Sequence, residues 1–168
     1  MKKQTKLYNV FFPIWMLYLF PPVILISLAV NFIIDYLVIR LSLKKQNIGN
    51  YKEISKEKIF KTWIFGFVSD IVGSAFLFIL AFYFLNDIPG NFMNNVLNSV
   101  AANPFGNILA FLITSTAIFI SGILIYYFNK NFVFKNSSLD EEVVKKLCFH
   151  LAIFTAPYFF LFPISIFF

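Results

Sequence analysis

The sequence predicts an all-α integral membrane protein: a bundle of four transmembrane helices preceded by a re-entrant or interfacial hydrophobic segment. Composition comes first. Of the 168 residues, 60% are hydrophobic and 25 are Phe. Only 13% are charged, about half the share of an average soluble domain. The charges are also segregated: between Lys61 and Lys130 the only charged residues are Asp70 and Asp87. A water-soluble fold could not cover this much apolar surface with so few polar groups. A bilayer requires such runs, about 20 apolar residues for each crossing. Backbone polar groups find no water in hydrocarbon, and a helix satisfies them internally. The length fits a single membrane domain over 1–168.

The first apolar run covers 7–43 and contains Pro13 and the pair Pro21-Pro22. Its second part, 23–43, is long enough to span. Its first part, 7–20, has the length of a re-entrant or interfacial piece. Lys2 and Lys3 ahead of the run, and Ser27-Leu28-Ala29 within it, resemble a signal peptide. The run outlasts the usual apolar core of such a signal, about 7–15 residues, so the segment is read as retained. Further spanning helices are expected at 62–86, 104–129 and 147–168. They carry, in turn, one charge (Asp70), none, and the lone His150. The loop 87–103 opens on a Pro-Gly turn signal. Beyond it Phe92, Val96, Leu97 and Val100 share one helical face. That stretch is either a short helix lying on the membrane surface or an ordinary polar loop. Ser138 and Glu141 have the spacing of a capping box, which starts the last helix there. Trp63, Tyr126 and Tyr127 fall near span boundaries and read as interface anchors.

Lysine placement sets an expected orientation. Loop 44–61 holds Lys44, Lys45, Lys52, Lys56, Lys58 and Lys61, and loop 130–146 holds Lys130, Lys135, Lys145 and Lys146. Loop 87–103 has no lysine and five asparagines. Basic loops stay on the cytoplasmic side, so the first two loops are expected there and 87–103 outside. The chain is then a multi-pass protein of the cell membrane with its C-terminus outside. Lys2, Lys3 and Lys6 also favour the cytoplasm, which requires two crossings or one re-entrant dip before residue 44. The rival placement has the N-terminus outside.

Several classes are excluded. One cysteine, Cys148, permits no internal disulfide or Cys-cluster metal site. One histidine permits no multi-His site, so no metal and no cofactor are expected. There is no Gly-rich phosphate loop, no Gly-x-Ser-x-Gly and no nucleophile–base pair, so the chain is not read as an enzyme. No basic stripe interleaved with exposed aromatics marks a nucleic-acid surface, and the net charge of +6 reads as membrane topology. The expected partners are the lipid bilayer, a lipid-linked substrate, and a second copy or another membrane subunit.

The polar residues inside the expected spans carry the functional reading. Asp35 lies nine residues before Lys44, and Asp70 nine after Lys61. At 1.5 Å per residue both are about 13 Å in from the same face. The two helices are consecutive and antiparallel, so the carboxylates are expected to meet at one depth. Asn31 is one turn from Asp35, with Ser27 beyond it. On the next helix Gly66, Asp70 and Ser74 repeat at the same spacing. Ser115, Gly122 and Asn129 recur every seven residues on the third helix, with Thr114 and Ser121 beside them. Three helices thus each have one small or polar face to turn away from lipid.

A carboxylate in the bilayer costs about 2.5–3.5 kcal/mol on insertion scales. Two that face each other repel, so one holds a proton or both share a cation. The pair is either a site for a proton, a cation or a substrate head group, or a pair of protonated acids bonded across helices to Asn31, Ser69 or Ser74. Arg40 either snorkels to the interface or clamps a phosphate. His150 is either a structural hydrogen-bonding residue or a proton relay. Cys148 reads as packing. The candidate substrate- or proton-binding residues are therefore Asp35, Asp70, Asn31, Arg40, Ser74 and His150.

The stretch "YYFNKNFVFK", 126–135, resembles the Asn-Lys/Arg-x-aromatic-Val-Phe signature of the GtrA-like family of small four-helix membrane proteins, through Asn129, Lys130, Phe132, Val133 and Phe134. Asn31, Ile34 and Asp35 are similar to the Asn-x-x-Ile-Asp of that family's first helix. The likeness covers about 23–43 and 107–165. It implies a role in flipping polyprenyl-phosphate-linked sugars. Two features depart from the family: Asn31 and Asn129 are about one hairpin too far apart, and the charge map runs helix 23–43 from outside to inside. A faint repeat also relates "EKIFKTWIFGF" to "EVVKKLCFHLA". The expected function is a small carrier or flippase for an anionic substrate; the other reading is a non-catalytic accessory subunit of a larger membrane complex.

Overall fold

A computed structural model describes residues 21–80 and 91–163. Helix α1 is Pro21–Lys45. Two prolines open it, where missing N–H groups cost a helix nothing, and Lys44 and Lys45 close it at the negative end of its dipole. A five-residue turn, 46–50, follows. There Asn47 takes φ 58°, a left-handed conformation Asn tolerates better than most residues.

Helix α2, Tyr51–Ile79, begins eleven residues before the expected start at 62. The segment 51–61 is amphipathic: Ile54, Ser55 and Ile59 are buried, and Lys52, Lys56 and Lys61 are exposed. The expected loop 44–61 is therefore a short turn plus three turns of helix. Helix α3, Asn91–Ala102, buries Val96 and Val100 and exposes Asn94, Asn95 and Asn98. So most of the expected loop 87–103 is a short helix. Phe92 does not join its packed face, being 62% exposed.

A 3-10 turn at Pro104–Gly106 delays helix α4 to Ile108–Phe128. Asn107 caps α4, its Oδ1 accepting from the backbone N–H of Leu109 at 2.8 Å. A π turn, Asn129–Val133, extends the helix. Helix α5, Glu141–Phe154, is preceded by Asp140. Ser138 is thus not the cap; Glu141 and Glu142 favour the positive end of the helix from its first turn. The expected continuation of α5 to 168 fails at Pro157. That residue lacks an N–H and disfavours the α conformation at Ala156, and a 3-10 turn, Tyr158–Leu161, follows. The expected segment 7–20, and residues 81–90 and 164–168, lie outside the described residues.

Among the described residues, all regular structure is helical. Three stretches are long and apolar enough to cross a membrane: Tyr51–Ile79, Ile108–Val133 and Glu141–Leu161. α1 packs against α2 and α5, and α4 packs against the same two. The neighbours are antiparallel. Along α2 and α4, Phe65 meets Phe128 and Ser69 meets Ser121. Along α1 and α5, Asp35 meets Thr155 and Ser42 meets His150. The turn 46–50 and the connection 134–140 therefore share one end of the bundle, and all ten lysines of the described residues gather there.

Two apolar clusters fill the ends. Leu43, Ile54, Val133, Phe134, Val144 and Leu147 pack at the lysine end. Leu77, Val96, Val100, Ala110, Ile118 and Phe160 pack at the other. Between them the buried side chains include Asp35, Ser69, Asp70 and Ser121.

Candidate functional site: an acid pair between two helices

Asn31 and Asp35 stand one turn apart on α1, as Gly66 and Asp70 do on α2. The helices run antiparallel, so Asn31 meets Asp70 and Asp35 meets Gly66. The Nδ2 of Asn31 points at Oδ2 of Asp70 from 3.5 Å, beyond the ordinary hydrogen-bond range. Oδ2 of Asp35 lies 3.5 Å from the point a Cβ on Gly66 would occupy. Asp35 is 3% exposed and Asp70 2%, and the two are close enough for their charges to interact.

The acids come together as a staggered pair, one turn apart in height, rather than at one level. Lysines are a poor gauge of depth here because 51–61 is helical; the facing residues, Asn31 with Asp70 and Asp35 with Gly66, set the stagger at four residues. Facing stripes bring them together.

A third helix contributes. Thr155, which closes α5, is near enough to Asp35 to interact with it. Its hydroxyl donates to the carbonyl of Leu151 at 2.8 Å, so what it offers Asp35 is a lone pair. Oδ1 of Asp70 is buried and has no hydrogen-bond partner among the described residues. Neither acid has a lysine or arginine counter-ion there. Two acids so placed can hold a proton, a monovalent cation or a substrate's donor group. Among the described residues no group of three or more His, Cys, Asp or Glu could hold a metal ion. Thr155 went unread in the sequence; its signal was a hydroxyl residue just before the Pro that ends α5.

The other candidates stand apart from the pair. Ser74 donates to the backbone carbonyl of Asp70 at 3.0 Å, on its own helix. His150 Nδ1 lies 2.7 Å from Ser42 Oγ, two turns along α1 from Asp35 toward the lysine end. Arg40 is half-buried and forms no ion pair among the described residues. Thr114 and Ser121 face inward, but Ser115 and Gly122 line a groove on the outer side of α4. Cys148 is fully buried in the lysine-end cluster.

In the stretch 126–135, Asn129 is fully buried and its Nδ2 donates to the carbonyl of Ile125 at 2.8 Å. Val133 and Phe134 are buried beyond it, and Phe132 is 56% exposed. No protein-family model matches the chain, and no curated protein or solved structure matches it significantly.

Proposed function

We propose that the chain is a small multi-pass membrane carrier or flippase for an anionic substrate, with Asp35 and Asp70 as its proton- or cation-binding pair. The observation that carries this reading is the buried, unpartnered Oδ1 of Asp70 beside a second buried acid. A buried polar atom without a partner costs about 1–3 kcal/mol; among the described residues Thr62, Thr114 and Asn129 also have one each, but only Asp70 has it on a carboxyl beside a second buried acid. Intramembrane acids that face a bundle interior mark ion and proton pathways. The lone pair of Thr155 can accept from a protonated Asp35, and Asn31 can steady Asp70.

In this reading α1 is a fourth crossing and 7–20 a re-entrant or interfacial piece. The lysine end faces the cytoplasm, and α3 lies at the outer surface of the cell membrane. Arg40, about 7.5 Å along α1 from Asp35 toward the lysine end, meets the anionic group of the substrate. The resemblance of 126–135 to the GtrA-like family suggests a polyprenyl-phosphate-linked sugar as that substrate.

The test is transport of a short-chain fluorescent polyprenyl-phosphate sugar in proteoliposomes, with Asp35→Asn and Asp70→Asn compared with wild type. At least a tenfold loss in either variant, about 1.4 kcal/mol of barrier, is the expected result. Wild-type rates in both variants remove the acid pair from the mechanism.

A further inference from the structure

α4 and α5 meet closely at one point, where a Cβ on Gly122 would sit 3.4 Å from the carbonyl oxygen of Ala152. Around that point a groove of about 510 Å³ opens on the outer side of the bundle, within the range of about 300–1,000 Å³ seen in small-molecule sites. Ser115, Gly122 and Ala152 line it, and Phe119, Phe149 and Ile153 wall it. Those walls are exposed at 69%, 56% and 40%, so the groove faces whatever surrounds the helices. From Ser115 to Tyr126 it extends eleven residues along α4, about 16 Å at the helical rise. Half the hydrocarbon thickness of a bilayer is about 15 Å.

The lysine end of the groove is charged in a specific way. Its last aromatic on α4 is Tyr126, and Lys130 follows one turn later. Its first aromatic on α5 is Phe149, and Lys145 precedes it by one turn. Both walls thus place a lysine just beyond the apolar trough. Lys145 is paired at 2.8 Å with Glu141, one turn further out, and Lys130 is near enough to Glu141 to interact with it. A phosphate at this end of the groove competes with Glu141 for the two lysines.

We propose that this groove holds one chain of an anionic phospholipid from the leaflet at the lysine end, with its phosphate between Lys130 and Lys145. The site is separate from the acid pair, so it stands or falls independently of the carrier reading. It assigns a function to Ser115, and a second one to Gly122 besides its close contact with α5.

Native mass spectrometry of the full chain in detergent, titrated with phosphatidylglycerol and phosphatidylcholine of identical chains, reads it directly. The expected result is about tenfold better retention of phosphatidylglycerol, whose phosphate charge no choline cancels; two lysines set a ceiling of about thirtyfold, which the pairing of Lys145 with Glu141 lowers. Lys130→Gln with Lys145→Gln is expected to abolish that preference while leaving chain binding in place. Ser115→Phe, which fills the trough, is expected to reduce retention of both lipids. Ile123→Trp, at a residue already 51% exposed, covers the trough without repacking the interior and should do the same if Ser115→Phe fails to fold. Equal retention of the two lipids by wild type, or a preference that survives the double lysine variant, overturns the head-group assignment. Wild-type retention of both lipids in Ile123→Trp overturns the groove.

Discussion

Helix α2 presents small and polar residues to two neighbours, with opposite results. Toward α4 it offers Ser69 and Gly73. There Ser121 donates to the carbonyl of Ser69 at 3.1 Å, and a Cβ on Gly73 would overlap Ser121 Oγ and approach the carbonyl of Ala117 to 3.2 Å. That seam is closed at this level and the hydroxyls of Ser69 and Ser121 are satisfied, while Thr62 and Thr114, buried further along the two helices, keep hydroxyls without a partner among the described residues. Toward α1 it offers Gly66 and Asp70. There the contact is looser, the Asn31–Asp70 approach is long, and one carboxyl oxygen is left without a partner. The same residue types at neighbouring positions serve as adhesive on one side and leave room for chemistry on the other. Polar residues in a membrane helix acquire a role only through the fit of the opposing face.

The two glycines of α2 offer the sharpest way to break this comparison. Gly73→Ala forces a methyl into Ser121 and the α4 backbone, and overpacking of this kind costs about 1–3 kcal/mol. A drop of several degrees in the thermal midpoint in detergent is the expected reading. Gly66→Ala adds only an ordinary contact with Asp35 and gains helix propensity of about 1 kcal/mol. Its midpoint should rise, while transport in proteoliposomes falls because the methyl occupies the space beside the carboxyl. If both substitutions destabilise equally, the seams do not differ.

Ser42→Ala removes the partner of His150 and should cost about 1 kcal/mol. Transport should stay within about twofold of wild type, under 0.5 kcal/mol of barrier, because the Ser42–His150 bond lies two turns from the acids. A larger loss of transport would make His150 part of the pathway. The smallest effect belongs to Ser121→Ala. Interhelical hydrogen bonds in membranes average about 0.6 kcal/mol, and the carbonyl of Ser69 keeps its own helical bond. A shift of a degree or two in the same melt checks it.

The all-helical class and the apolar helices α2 and α4, long enough to cross a membrane, could be read from charge segregation and apolar run length alone. The convergence of Asn31, Asp35, Gly66 and Asp70 could be read from their four-residue spacing on successive helices. The height of the acids could not, because lysines were taken to mark loops, whereas Ile54, Ser55, Ile59 and Thr62 keep the lysine-bearing segment helical. The stripe of Ser115, Gly122 and Asn129 misled for another reason. A seven-residue repeat drifts about 20° per heptad on a straight helix, so it starts in the outer groove and reaches the interior only at Asn129. Pro157 ends α5 although the apolar run continues on both sides of it. Thr155 owes its place beside Asp35 to that ending, which no pattern within α5 itself announces.

Because the turn 46–50 and the connection 134–140 lie at one end of the bundle, the path of the chain into a bilayer is constrained during synthesis. Ten lysines can remain on the side where they are made. Between the end of α2 and the start of α4 the sequence carries a single charge, Asp87. If the lysine end stays on the side of synthesis, the link between α2 and α4 is the one that crosses, and no cluster of cations has to be moved through hydrocarbon.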